Sequence, residues 1–350
     1  MKHQTTRYGE IPFYKIGTFG NTADAFISKK LFLEYKTKYS FPKKGDILIS
    51  ASGTIGRAVI YDGKPAYFQD SNIVWIDNDE TLVKNDFLFY AYSHVKWNTE
   101  HTTILRLYND NFRNTLIPLP PLNEQSAIAN ILSTLDRYLY NLDALILKKE
   151  SVKKALSFEL LSQRKRLKDF NQAWQRVRLG DICEIVKGQQ INKISLNNTD
   201  KYPVINGGID FLGYTNKFNV SKNTIAISEG GTCGYVRFMT SDFWSGGHNY
   251  SLQKINNKVN NLCLYHILKS YEKDIMKLGV GSGLKNIQLK ALKDFEILLP
   301  PLNEQIAIAN ILSTLDKEIA SLKNKKRQFE NIKKALNHDL MSAKIRVLEK

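Results

Sequence analysis

The sequence predicts an α+β protein in which two mixed α/β domains are separated by two long antiparallel coiled-coil helices, with a pseudo-two-fold internal repeat. Three observations carry this. Residues 119–136, LPPLNEQSAIANILSTLD, return as residues 299–316, LPPLNEQIAIANILSTLD, with 17 of 18 positions identical at a constant offset of 180. Each copy opens a run that no Pro or Gly interrupts, with apolar residues spaced alternately by four and three. The stretches before the copies carry short β-type runs broken by glycine turns. A fixed-offset repeat marks a duplicated structural unit. The expected segments are 1–117 (first variable domain), 118–170 (first long helix and linker), 171–297 (second variable domain) and 298–350 (second long helix).

Pro120-Pro121 and Pro300-Pro301 cannot lie inside a helix, so they end the preceding chain. Asn123 and Asn303 are the expected N-caps, with Glu124 and Glu304 at the positive end of the helix dipole. The first seam runs Ile128, Leu132, Leu135, Leu139, Leu142, Ile146, Lys149, Lys153, Leu156, Leu160. The second runs Ile308, Leu312, Leu315, Ile319, Leu322, Lys326, Phe329, Lys333, Leu336, Leu340. A 3.5-residue apolar period is a coiled-coil seam. At ~1.5 Å rise per residue each run makes a rod of roughly 60 Å. The partner of each seam is already present in the chain, and two like halves related by a two-fold run antiparallel.

The first variable domain reads as short strands at 46–50, 57–61 and 72–76, with a helix over 86–96. The second shows a strand at 224–228, a glycine turn at 229–234, a strand at 235–238 and a helix near 262–273. Ser228, Gly231, Thr232 and Gly234 align with Ser50, Gly53, Thr54 and Gly56 at an offset of 178, so the variable domains are related as well. The second domain also has an opening, Trp174-Gln175-Arg176-Val177-Arg178-Leu179-Gly180-Asp181-Ile182, that the first lacks. Aligning Ile11-Pro12 with Tyr202-Pro203 leaves the first domain short by roughly 20 residues. The expectation is that it is truncated or completed by another segment such as the C-terminal tail.

Composition narrows the function classes. The 350 residues suffice for two or more domains with their own cores. No run of apolar residues is long enough to span a membrane, and the N-terminus has no apolar signal core. Cys183, Cys233 and Cys263 are widely spaced and form no CxxC pair, which points to a reduced cytoplasm. The net charge of +16 divides as +3, +3, +6 and +4 over the four segments. A basic surface spread along the whole chain suits an extended polyanion.

Two variable domains alternating with two near-identical helices introduced by Leu-Pro-Pro-Leu-Asn-Glu-Gln resemble the specificity subunit of type I restriction–modification systems. The resemblance covers essentially the whole chain. Its carriers are the duplicated segment, the Trp174 to Ile182 opening, and Gly281-Ser282-Gly283 with Lys285-Asn286-Ile287. The missing opening of the first domain departs from it. The resemblance implies that each variable domain is a target-recognition domain reading one half of a bipartite site in double-stranded DNA. The helices are then a ruler and a docking platform for two modification (methyltransferase) subunits, joined by restriction (translocase/endonuclease) subunits. It implies no cofactor in this chain; S-adenosylmethionine, ATP and Mg belong to the partner subunits. If the first half is truncated, it should bind DNA poorly and methylation should be weak.

Reading bases needs forked donors and acceptors on loops: Arg or Lys for guanine, Asn or Gln for adenine. The candidates in the first domain are Ser50, Ser52, Thr54, Arg57, Gln69, Asn72 and Arg106. In the second they are Lys187, Gln189, Gln190, Asn206, Ser228, Thr232, His248, Asn249, Lys285 and Asn286. The same Ser-Gly-Thr and Gly-Gly-His-Asn sequences also make ordinary turns. No catalytic constellation is visible. The Pro-Pro pairs lack the setting of an aminomethyltransferase motif, and there is neither a phosphate loop nor an HExxH. The main expectation is a non-catalytic specificity subunit. The rivals are a freestanding DNA-binding or anti-restriction regulator and a purely structural coiled coil.

Overall fold

The computed structural model describes residues 4–68, 72–97 and 106–348. They form two compact units, one of residues 1–143 with 324–350 and the other of residues 144–323.

The first unit opens with β1 (Ile11–Tyr14) and β2 (Phe26–Ile27), followed by α1 (Lys29–Lys38). Next come β3 (Ile47–Ser50), β4 (Ala58–Ile60), β5 (Tyr67–Phe68) and β6 (Ile73–Trp75), then α2 (Asn85–His94) and α3 (Asn109–Arg113). Two three-stranded sheets result, β2-β1-β5 and β4-β3-β6. β1 runs antiparallel to β2 and parallel to β5. β3 is buried along its whole length, which suits a central strand facing apolar side chains on both sides. The first long helix, α4, runs Leu122–Leu161.

The second unit continues with β7 (Gln175–Arg178), the single turn α5 (Leu179–Ile182) and β8 (Glu184–Lys187). Then follow β9 (Tyr202–Ile205), β10 (Gly213–Thr215), β11 (Thr224–Ser228), β12 (Val236–Met239), β13 (Trp244–Ser245) and β14 (Asn249–Gln253). After α6 (Asn261–Ser270) and α7 (Glu272–Lys277), β15 (Gly279–Val280) and β16 (Asn286–Ile287) make a hairpin; α8 (Leu289–Lys293) and β17 (Glu296–Leu299) lead into α9 (Leu302–Met341).

The two units share a topology. Sheet β10-β9-β13 repeats β2-β1-β5, with Pro203 on β9 where Pro12 lies on β1. Sheet β12-β11-β14 repeats β4-β3-β6 but gains β8 on its far edge. A separate pair, β17-β7, belongs to the second unit alone among the described residues. The strands expected at 46–50, 57–61 and 72–76 are present, trimmed by one residue at one or both ends. The helix expected over 86–96 spans 85–94, and the one near 262–273 is broken into α6 and α7 at Tyr271.

In both units an initial stretch of one long helix packs antiparallel on the closing stretch of the other, and every seam position is at least partly buried. The seam lysines are the informative part. In the first unit Lys333 pairs with Asp136, and Lys326 with Asp143 at 2.7 Å. In the second, Lys153 pairs with Asp316, and Lys149 with Glu318 at 2.6 Å. Where the apolar pattern lapses, a cation therefore meets an acid on the facing helix, and only one register satisfies all four. Polar seam positions are known devices for fixing register.

The repeated motif itself behaves differently from expectation. Each long helix starts at Leu122 or Leu302, one residue before the Asn, so Asn123 and Asn303 lie in the first turn rather than at the N-cap, where Asn123 Oδ1 accepts from Glu124 N–H at 2.9 Å. Pro121 and Pro301 supply the first helical carbonyls, accepting from Gln125 at 2.9 Å and Gln305 at 3.0 Å. Glu124 and Gln125 are buried, as are Glu304 and Gln305. Gln125 accepts from Lys84 N–H at 2.8 Å and donates to the carbonyls of Leu82 and Pro120 at 3.0 and 2.8 Å. Gln305 repeats this with Asn260 N–H, Lys258 C=O and Pro300 C=O at 2.7, 3.1 and 2.7 Å. Gln125 thus ties its Pro-Pro corner to the backbone ahead of α2, and Gln305 to the backbone ahead of α6. Glu124 is gripped by Arg346 from both nitrogens, at 2.7 and 2.5 Å, and Glu304 by Arg166 at 2.8 and 2.7 Å. The Arg346 guanidinium holds the Glu124 carboxyl below its usual range. The C-terminal tail does reach the first unit, through Arg346 and through Val347 on the core around Phe87 and Ile128. It contributes no strand there among the described residues.

Candidate nucleic-acid interface

In both units the candidate loops hang from the same strand–turn–strand. Ser50 and Ser228 each receive an amide at the turn, from Gly56 at 2.9 Å and Gly234 at 2.8 Å. Gly53 and Gly56 take φ of 66° and 82°, and Gly231 and Gly234 take 68° and 84°, so the two turns match position by position. Left-handed backbone at these places favours glycine. The last glycine also sits too close to its surroundings for a side chain: a Cβ on Gly234 would lie 2.7 Å from Met276 N, and one on Gly56 would strike the Trp97 indole.

The second unit gathers all of its candidates into one loop cluster. Lys187 ends β8, and its amine meets Glu229 at 2.6 Å. Glu229 is buried, lies 3.8 Å from His248 Nδ1 and accepts from Tyr250 Oη at 3.2 Å. Asn206 accepts from His248 N–H at 3.0 Å, and Thr232 N–H donates to Gly207 C=O at 2.8 Å. Gln190 lies against Gly247, and the Asn286 side chain covers Gly230. Gln189, Gln190, His248, Lys285 and Asn286 are exposed, and Asn206 and Thr232 partly so. Ser228 and Asn249 face each other across β11 and β14 and are buried, so they shape the cluster from below.

Three further residues build this surface and were not anticipated. Arg237 donates to the carbonyls of Gly208 (3.2 Å) and Ile209 and lies over the Phe211 and Tyr235 rings at 5.2 and 5.4 Å, holding the loop after β9. Trp244 Nε1 donates to Gln189 C=O at 3.0 Å. Glu229 anchors Lys187 and Tyr250. The only sequence signal was an acid and an arginine flanking a glycine turn, which is too common to single out.

The first unit offers a smaller set. Thr54 and Arg57 are exposed on the turn, and Arg57 Nη1 reaches Phe19 C=O at 3.0 Å. Arg106 Nη2 donates to Asn72 Oδ1 at 2.8 Å, which places an amide and a guanidinium edge to edge. Ser52 bridges to Arg106 through the backbone. Ser50 and Ser52 are buried, and the Ser50 hydroxyl donates to Thr54 C=O. Gln69 lies outside the described residues. Ala51 stands where the second unit has Glu229: each passes its amide to the strand beside it, from Ala51 to Asn72 C=O and from Glu229 to His248 C=O.

No group of three or more metal-ligating side chains occurs among the described residues, and no helix among them is long and apolar enough to cross a membrane. The cysteines are all buried; burial pushes the Cys183 and Cys263 thiols up to about 12, which leaves them protonated and unreactive near neutrality.

Paired mixed α/β units sharing one loop architecture, joined to long helices with duplicated contacts, define a protein of two like modules. The sequence model of the type I restriction modification DNA specificity domain matches residues 1–149 and again 171–331, and the chain belongs to that family. A Haemophilus influenzae protein named as a type I restriction enzyme specificity subunit is 65% identical over 133 residues, covering 38% of this chain and 34% of that protein. The match thus spans about a third of that relative's length. The type I restriction enzyme MjaVIII specificity subunit of Methanocaldococcus jannaschii is 25% identical over 363 residues, covering 93% and 84%. The crystal structure of a type I restriction-modification S subunit from M. genitalium has the same fold, with a TM-score of 0.72 at 22% identity over 97% of this chain and 91% of that one.

Proposed function

We propose that this chain is the DNA-specificity subunit of a type I restriction–modification complex. Each unit reads one half of a bipartite site, and the long helices act as ruler and docking platform for two methyltransferase subunits. The carrying observation is that both units present the same glycine-supported loop geometry on a uniformly basic chain whose two halves each match the specificity-domain family. The chain itself is read as non-catalytic, with S-adenosylmethionine, ATP and Mg acting in the partner subunits, and restriction subunits joining the assembly.

Within this reading the base-contacting set is the exposed part of the loop cluster. Gln189, Gln190, Asn206, Thr232, His248, Lys285 and Asn286 serve the second half-site, and Thr54, Arg57, Asn72 and Arg106 the first. Ser50, Ser52, Ser228 and Asn249 hold the loops. The buried Glu229 beside Lys187 cancels one positive charge at the surface, so Lys187 orders the loop more than it attracts phosphate.

The test is a genome-wide map of N6-methyladenine in cells carrying this chain with its cognate modification subunit, against cells lacking only this chain. A bipartite motif present only with the chain is expected. Methylation independent of the chain would overturn the reading. No methylation in either strain, together with duplex binding by the chain alone, would favour a regulator.

A further inference from the structure

The loop between β9 and β10, residues 206–212, leaves the loop cluster and carries an apolar tip. Ile209, Phe211 and Leu212 are 54%, 46% and 36% exposed. Apolar side chains gathered on a protein surface mark a place of contact. The tip is not slack. At one end Gly207 C=O accepts from Thr232 N–H at 2.8 Å, and at the other Leu212 N–H donates to Val204 C=O at 2.8 Å. Between them Arg237 donates to the carbonyls on either side of Ile209, those of Gly208 at 3.2 Å and of Ile209 itself. The same guanidinium lies over the Phe211 ring at 5.2 Å, and Phe211 meets Tyr214 edge to face at 6.1 Å. Burial lowers the Arg237 pKa, with Tyr235 and then Asp210 pulling the other way, so the one acid of the loop lies near the arginine.

The corresponding loop of the first unit, after β1, turns its apolar residues inward. Phe19 is fully buried with Leu48, Tyr61 and Ile73, Ile16 packs against them, and no large apolar side chain of residues 15–25 is exposed. The apolar tip therefore belongs to the second unit alone of the two loops. Its place decides what it meets. The loop starts from Asn206, whose Oδ1 accepts from His248 N–H at 3.0 Å, and from Gly207, packed against Gly230 and His248. The tip thus continues the surface that carries His248 and its exposed neighbours.

We propose, resting on the DNA-specificity reading, that Ile209 is an apolar wedge entering the base stack of the second half-site, with Phe211 and Arg237 as its brace. Apolar side chains inserted at a base step unstack it partly and kink the duplex by roughly 20–90°. A wedge has to be stiff, because a side chain on a slack loop folds back onto its own surface sooner than it parts two base pairs. Arg237 gives that stiffness by fixing the backbone on both sides of Ile209. Flexible pyrimidine–purine steps part most easily, so the wedged step is TA, CA or TG. The second half-site is then read partly by deformability, at a step where no hydrogen bond to a base edge is made.

The test uses the full chain with its modification subunits, without S-adenosylmethionine, on duplexes carrying the methylated motif. 2-Aminopurine replaces in turn each adenine in and beside the second half-site except the methylated one. One pyrimidine–purine step should brighten several-fold on binding. Ile209→Ser should abolish that signal and weaken binding about tenfold. Ile209→Leu should keep the signal, and Arg237→Lys should reduce it with Ile209 intact. Ile209 is half exposed, so its variants should fold, which circular dichroism checks. Motif binding with no brightened step, or with one indifferent to Ile209→Ser, overturns the wedge and leaves the specificity reading standing. Loss of the modification subunits on copurification with the Ile209→Ser chain would make the tip a protein-docking patch and overturn the wedge as well. Absence of motif binding by the unaltered complex would bring down both readings.

Discussion

Gln305 spends its whole side-chain amide on main-chain groups: one N–H and two carbonyls, in a site 1% exposed. Replacing it by methionine keeps the volume and strands those partners. Leaving buried polar groups unmet costs ~1–3 kcal/mol, so Gln305→Met should lower the urea midpoint accordingly, with an unchanged slope. Gln125→Met should do the same in the first unit. His266 gives a pH signature. Burial pushes its pKa down to about 4, against the opposing pull of Asp316, and its Nε2 lies 3.3 Å from Ser313 Oγ. The unfolded chain takes up the proton near pH ~6.5 while the folded one does not, so stability is full above that pH and falls as pH drops toward 4. The loss is of the order of 3 kcal/mol. His266→Gln should flatten this part of the stability curve; an unaltered curve would remove His266 as its source. Among the exposed loop residues, Lys285→Ala and Gln190→Ala should each relax one base position by ~1–3 kcal/mol rather than weaken all duplexes alike.

At the scale of elements, the long helices are held in register by the seam lysines. Asp136 accepts from Lys333 and also from Tyr90 Oη at 2.8 Å, linking α2 to both long helices. The pair is partly exposed, so its coupling should be modest, about 1 kcal/mol. Asp136→Lys should destabilise the protein, and adding Lys333→Asp should restore part of the loss; strict additivity of the two would show that they do not interact. This is also where the sequence was most and least legible. The 3.5 period, the length of both helices and the Ser-Gly-Thr-x-Gly correspondence could all be read directly, because each is a local pattern repeated. The acids facing Lys149, Lys153, Lys326 and Lys333 could not, since the partner lies on another helix whose register only the fold supplies. β1, β2, β5 and α1 went unread as well. The strands are two to four residues long, too short for a period, and α1 (KKLFLEYKTK) buries only Phe32 and Tyr35. Asn123 and Asn303 resembled caps by residue type alone, but Pro121 and Pro301 had already begun the helix.

At the scale of the whole molecule, the net charge of +16 is carried by every segment. For a complex touching six or more phosphates, affinity should fall by a factor on the order of a thousand between 50 and 200 mM salt. A duplex affinity indifferent to salt would remove the electrostatic part of the reading. The candidate site was legible in outline, since the ten candidate residues of the second unit do converge. It was not legible in depth: exposure separates Gln190 and Asn286 from Ser228 and Asn249, and exposure depends on strand neighbours far away in the chain.

The glutamines of the duplicated motif touch only main chain, and the glutamates are held by arginines that also lie 180 residues apart. The joint at each Pro-Pro corner is therefore made largely of parts common to both halves, or of backbone that any sequence provides, while Tyr90 on Asp136 and Trp174 on Glu304 add a contact peculiar to each half. Such a joint works like a standard fitting. It accepts whatever domain arrives with a backbone of the right shape, and the loops of that domain can change completely while the frame that holds them is left alone.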